Sequence, residues 1–199
     1  MTHQPLNKMI NEPDPSRLIH GLRDTGYDFY TAAADIIDNS VSADANIINI
    51  LIEITSDGRK FVYFGDDGHG MDEDGLHNAM RYGAQIREDL ASLGKFGLGL
   101  KTASSSVCLK YSLISRTNLS SPLYKLTWDL EHVSDVNNWE MVDEPVSVDE
   151  QEVFEELCGN SGTLVVWSRC DRLLSKVYEE PGGTKEQAAI RYISNKLIE

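Results

Sequence analysis

Three short stretches of this chain combine residue types that could hold a phosphorylated ligand and act on it. The first is Gly94-x-x-Gly97-x-Gly99, followed by Leu100 and Lys101. Glycines let a backbone turn tightly and approach a ligand with no Cβ in the way. The apolar, Ala- and Ser-containing segment behind them can be a helix, whose first turn offers unpaired N–H groups and a positive dipole end to an anion. Lys101 adds a mobile cation. The second stretch is Asp66-Asp67-Gly68-His69-Gly70-Met71. A buried Asp66 could accept a hydrogen bond from an exocyclic amine, Gly68 and Gly70 would let a flat ring come close, and Met71 offers it a soft, polarizable surface. The third is the pair Asp35 and Asn39, four residues apart and therefore one turn apart on one helix face. Asn39, neutral and oxygen-bearing, suits Mg²⁺, which prefers oxygen ligands and keeps several waters. Asp35 is placed to orient or deprotonate a water attacking a γ-phosphate.

The elements that must position these residues can be read in order. Residues 1–15 form an arm. Asp14-Pro15 starts a short helix, with Asp14 as cap and Pro15 at its first position. Tyr27 to Ala43 is the strongest helical pattern, with Tyr30, Ala33, Ala34, Ile37 and Val41 as the expected apolar stripe. Ile47 to Thr55 alternates as a strand, Ser56 to Arg59 turns, and Lys60 to Phe64 returns into the Asp66 turn. Asp67 reads as a solvent-facing turn residue. Asp72 caps a helix running to about Tyr82. Residues 83–93 have no clean period and read as a segment lying over something. A helix over Leu100 to Val107, strands over Leu109 to Arg116 and Leu123 to Glu131, a helix over Val148 to Leu157, a strand over Thr163 to Ser168 and a helix over Thr184 to Ile198 follow. The expected class is α+β: a two-layer sandwich with a mixed, mainly antiparallel sheet and helices on one face.

Composition limits the partners. With 18 Lys and Arg against 32 Asp and Glu the formal net charge is −14, which argues against direct nucleic-acid binding. No apolar run approaches the ~20 residues that span a bilayer, and the polar N-terminus is no secretory signal. Three separated cysteines suggest a reducing compartment, cytoplasmic or nuclear, with no disulfide framework.

Taken together, Ala34-Asp35-Ile36-Ile37-Asp38-Asn39-Ser40, Asp66-Asp67-Gly68-His69-Gly70-Met71, Gly94-Lys95-Phe96-Gly97-Leu98-Gly99 and Gly162-Thr163 resemble, in order, the four ATP-site motifs of the GHKL superfamily. That group includes DNA gyrase B, the ninety-kilodalton heat-shock chaperone, sensor histidine kinases and the MutL proteins. MORC-like and related bacterial ATPases have the nearest look, through Asp-Asp-Gly-x-Gly-Met and Phe-Gly-x-Gly-Leu-Lys. The resemblance covers about residues 16–170 and implies a Bergerat-type α/β sandwich that binds ATP or ADP with Mg²⁺. It implies that Asp66 binds the adenine amine with help from Thr163, that Asn39 holds Mg²⁺, and that Gly70 and Met71 line the base. Gly94, Lys95, Phe96, Gly97, Leu98, Gly99, Leu100 and Lys101 would wrap the phosphates, and residues 83–96 would be the ATP lid. It further implies hydrolysis with Asp35 and Lys101 in catalytic roles, and ATP-dependent homodimerisation in a longer protein of which residues 1–199 are a single, N-terminal domain.

The sequence departs from that pattern at Asp35, where hydrolytic relatives usually have Glu, and at Ser42, where many have Asp. The shorter carboxylate keeps open a nucleotide-binding switch with little hydrolysis. Transfer of phosphate to a partner histidine and a pure interaction module remain as further readings.

Overall fold

The structure, a computed structural model, describes residues 11–83 and 98–173. Among the described residues, six helices and five strands follow one another. Helix α1 is Pro15–Arg23 and α2 is Phe29–Ser42; β1 (Ile48–Ile54) and β2 (Lys60–Asp66) form a hairpin; α3 is Glu73–Met80 and α4 is Gly99–Val107. Strands β3 (Lys110–Arg116) and β4 (Tyr124–Asp129), helices α5 (Leu130–Val136) and α6 (Val148–Leu157), and strand β5 (Gly162–Ser168) complete it. The sheet order is β1-β2-β5-β3-β4, and every described pair is antiparallel. The chain is thus α+β, as its pattern implied. The helix expected over Thr184 to Ile198 lies outside the described residues.

Period-two alternation gives the sheet two faces. Val62, Phe64, Tyr111, Leu113, Val165 and Trp167 point into the main core beneath α1, α2, α3 and α4. Tyr63, Ile114, Leu164 and Val166 point to the reverse face, where α6 covers them with Phe154 and Cys158. One short helix therefore joins the second side of the sheet. Strand β4 ends at Asp129, short of the expected Glu131, because the Asp129 carboxylate accepts from the N–H groups of Glu131 and His132 and starts α5.

Helix α4 is the central strut. Its residues from Lys101 to Val107 are all buried, wedged between the sheet and helices α1 and α2. Small side chains make that close approach feasible. Ser105 and Ser106 return their hydroxyls to the carbonyls of Lys101 and Ala103, both at 2.6 Å, so these buried donors cost no unpaired polar group. Ser104 Oγ accepts from the indole N–H of Trp167 at 2.8 Å, which ties the strut to the middle of the sheet.

Helix α2 sits one residue out of its expected phase. Its buried face is Phe29, Ala32, Ala33, Ile36 and Ser40, while Val41, expected in the stripe, is 57% exposed. Three consecutive alanines and two consecutive isoleucines support either phase. One residue is a rotation of about 100°, and this phase brings Ser40 inward and leaves Asn39 exposed.

Candidate functional site

The adenine-side candidate is built where β2 ends beside β5. Asp66, only 5% exposed, lies opposite Thr163 in the β2–β5 register. Its Oδ1 accepts from Gly68 N at 3.0 Å and Thr163 N at 3.3 Å. Its Oδ2 accepts from Ser40 Oγ of α2 at 2.8 Å. Three donors from three elements fix the carboxylate plane.

A second serine links the rest of this wall. Ser115 of β3 donates to Gly162 O at 2.7 Å, lies 3.0 Å from Thr163 Oγ1 and accepts from Met71 N at 2.8 Å. Met71 and Thr163 are thereby joined through one hydroxyl.

The glycines here serve the backbone packing of the wall. A Cβ on Gly70, at φ +62°, would lie 2.0 Å from Arg116 O, and one on Gly162, at φ +130°, would lie 1.8 Å from Asp66 O. A Cβ on Gly68 would meet Ala43 O at 2.7 Å. These positions are glycine because backbone crosses backbone. Asp67 is likewise no idle turn residue. Its Oδ1 accepts from Asn46 N at 2.7 Å and Ile47 N at 2.8 Å, fastening the α2–β1 connection. His69 is exposed, and its ring meets Gly70 O.

The phosphate-side candidate lies one turn back along α2. Asp35 Oδ2 accepts from Tyr27 Oη at 2.8 Å and stands against the first residue of α4. A Cβ on Gly99 would be 3.4 Å from that oxygen. Asn39, on an exposed position, donates from Nδ2 to Asp35 O at 2.7 Å. Donation to the carboxylate, more than partial burial, raises the Tyr27 pKa above its ordinary value, so the phenol stays a donor near neutrality.

Helix α4 differs from its neighbours at its N-terminus. Helices α1, α2, α3, α5 and α6 are each capped by an Asp or Ser side chain, whereas Leu98 gives α4 no side-chain cap. Among the described residues no side chain caps the first N–H groups of α4, and the helix dipole there favours an anion. Gly94, Lys95, Phe96 and Gly97 lie outside the described residues.

Lys101 is placed away from where the sequence suggested. It is 1% exposed, and its Nζ donates to Ala79 O near the end of α3 at 2.7 Å. The third residue of α4 faces inward, so its ammonium is spent on a helix C-terminus. Burial lowers its pKa to about 8.

Helix α2 brings the groups together: Asp35 contacts the start of α4, Ser40 holds Asp66, and Asn39 stands between them. Sequence reasoning assigned no role to Ser40, Ser115 or Tyr27. Ser40 becomes readable only once the phase of α2 is known: it then shares the buried face with Phe29, Ala33 and Ile36, where a lone polar residue needs a buried partner. Ser115 and Tyr27 act through contacts that no spacing announces.

The comparisons with known proteins bear on the same stretch. Residues 27–163, well over half of the chain, match the family described as histidine kinase-, DNA gyrase B-, and HSP90-like ATPase. The chain belongs to this family. The matched range includes Asp35, Asn39, Asp66, Gly99 and Thr163. Among curated proteins, this family member is similar to Protein MICRORCHIDIA 3 of Arabidopsis thaliana, with 35% identity over 77 residues, 37% of this chain and 13% of that protein. It is also similar to ATPase MORC2B of Mus musculus, 31% identical over 91 residues, and to ATPase MORC2 of Homo sapiens, 30% identical over 91 residues, each match covering 44% of this chain and 9% of the relative. The chain therefore spans only a small part of the length of these relatives. Among the described residues, no helix is long and apolar enough to cross a membrane.

Proposed function

We propose that this domain binds ATP with Mg²⁺ and hydrolyses it to ADP and phosphate. One observation carries the reading: a single helix presents Asp35 to the uncapped start of α4 and, through Ser40, holds Asp66 at the sheet end. Family membership and relatives named as ATPases support it.

The roles follow from chemistry. Asp66, rigidly oriented and acceptor-only when ionised, takes the exocyclic amine of adenine. The N–H groups at the start of α4 receive phosphate oxygens. Asn39 fits a hard cation: its amide nitrogen is engaged and the residue is exposed, which keeps its amide oxygen for a ligand. That is the donor set expected where nucleotide phosphates and water complete the Mg²⁺ shell. The cation would neutralise charge on those phosphates. Asp35 accepts the proton of the attacking water. For the longer protein, the proposal extends to closure of residues 83–96 over the nucleotide and ATP-dependent pairing of two copies.

The test pairs binding with turnover. A non-hydrolysable ATP analogue with Mg²⁺ at about a hundred times its dissociation constant should add about 2.7 kcal/mol to stability, and phosphate release should be measurable. Asp35→Asn should abolish release and keep the stabilisation. Absence of both stabilisation and release overturns the proposal; stabilisation without release leaves a binding switch. Ultracentrifugation of the full-length protein with and without the analogue tests pairing.

A further inference from the structure

We propose that Tyr27 is the positioning residue that makes the short Asp35 side chain competent as a base, an inference that rests on the hydrolytic reading above. Tyr27 precedes α2, one residue ahead of its cap Asp28, whose carboxylate accepts from Thr31 N at 2.8 Å. That cap holds the start of the helix, and the Tyr27 ring packs against the main core. From there the phenol reaches eight residues along α2 and donates to Asp35 Oδ2 at 2.8 Å.

Oδ2 is enclosed on a second side by Gly99, where a Cβ would come within 3.4 Å of it. One carboxylate oxygen is thus held by a phenol and lies beside the first residue of α4. Among the described residues nothing takes Oδ1. An aspartate free to rotate would offer its oxygens in many directions. With Oδ2 fixed, the carboxylate plane is set and Oδ1 is the oxygen left for water.

In the reaction, a water oxygen bonds to the γ-phosphorus while the bond to the ADP oxygen breaks, its electron pair leaving with ADP. The water proton passes to Oδ1. The phenol keeps its own proton throughout, and Tyr27 touches no reacting atom.

Tyr27→Phe removes one hydroxyl and keeps the ring. In the intact chain, the expected result is a kcat lower by about tenfold to a hundredfold, the scale of a misplacement near 1 Å. Nucleotide affinity should be unchanged, with at most a small fall in melting temperature from the lost hydrogen bond. Fluorotyrosine at position 27, whose phenol ionises at lower pH, should move the alkaline limb of kcat down; this readout survives if Tyr27→Phe folds poorly.

A Tyr27→Phe protein that turns over at the wild-type rate or faster overturns the inference. So does one that loses affinity with kcat intact, or an alkaline limb that fluorination leaves in place. Loss of turnover in Asp35→Asn would still uphold the base reading in those cases. Wild-type turnover in Asp35→Asn, or none in the intact chain, overturns both.

Discussion

Ser40 Oγ donates to Asp66 Oδ2 across 2.8 Å, joining the helix that carries Asp35 to the strand end that would read adenine. Both residues are buried. A hydrogen bond to a charged group contributes about 1.5–3 kcal/mol, and here it also orients a carboxylate that must meet an amine. Ser40→Ala should therefore lower stability by about 1–3 kcal/mol in urea melts. It should also weaken nucleotide binding by about tenfold in calorimetric titration, equivalent to about 1.4 kcal/mol, while bound nucleotide turns over at the wild-type rate. Undiminished affinity would mean that Asp66 does not need this donor to read the base.

Asp35→Glu separates a site fitted to aspartate from one that has lost a longer side chain. The Asp35 carboxylate already touches Tyr27 and stands against Gly99. An extra methylene adds about 1.5 Å and must displace one of them. Steady-state phosphate release should fall by about tenfold or more. A faster Asp35→Glu enzyme would show that the short carboxylate limits the rate.

The motifs were legible because each carries its own local mark. Asp14 and Asp72 cap the helices they announce, the Asp57-Gly58 turn joins β1 and β2, and Val148–Leu157 forms the helix its pattern gives. The phase of α2 was not legible, because runs of Ala and Ile fit two phases. What selects one is the buried Asp66, distant in sequence, which needs Ser40. The placement of Lys101 was not legible for a related reason. A lysine behind a glycine loop resembles a phosphate ligand, and only the packing of α3 on α4 reveals the Ala79 carbonyl that takes its ammonium.

Gly162→Ala tests whether backbone crossing at the site is obligatory. Residue 162 has φ +130°, and a Cβ there would lie 1.8 Å from Asp66 O. The strained backbone costs about 1–3 kcal/mol, and the forced separation of β2 from β5 adds about 1–3 kcal/mol. The melting temperature should drop sharply. Any protein that folds should bind nucleotide poorly, because the shift moves Thr163 N off Asp66. A thermal melt like that of the wild type would show that the two strands can part without cost.

Lys101 makes a prediction about pH. Its folded-state pKa, lowered by burial to about 8, lies below the ordinary 10.5. Below pH 8 the ammonium is charged in both states, and the folded state carries the cost of burying it. Between about 8 and 10.5 the unfolded chain still holds the proton while the folded chain releases it, so this group makes stability rise with pH. The full effect is on the order of 3 kcal/mol. Lys101→Met should remove that rise: the stability difference, wild type minus variant, should increase from pH 8 to pH 10 in urea melts. Because the Lys101 Nζ is spent on Ala79 O, nucleotide affinity of the variant at pH 7 should stay within about twofold, under 0.5 kcal/mol. A large loss of affinity with a flat stability difference would mean that the ammonium leaves Ala79 and reaches the phosphates when nucleotide binds.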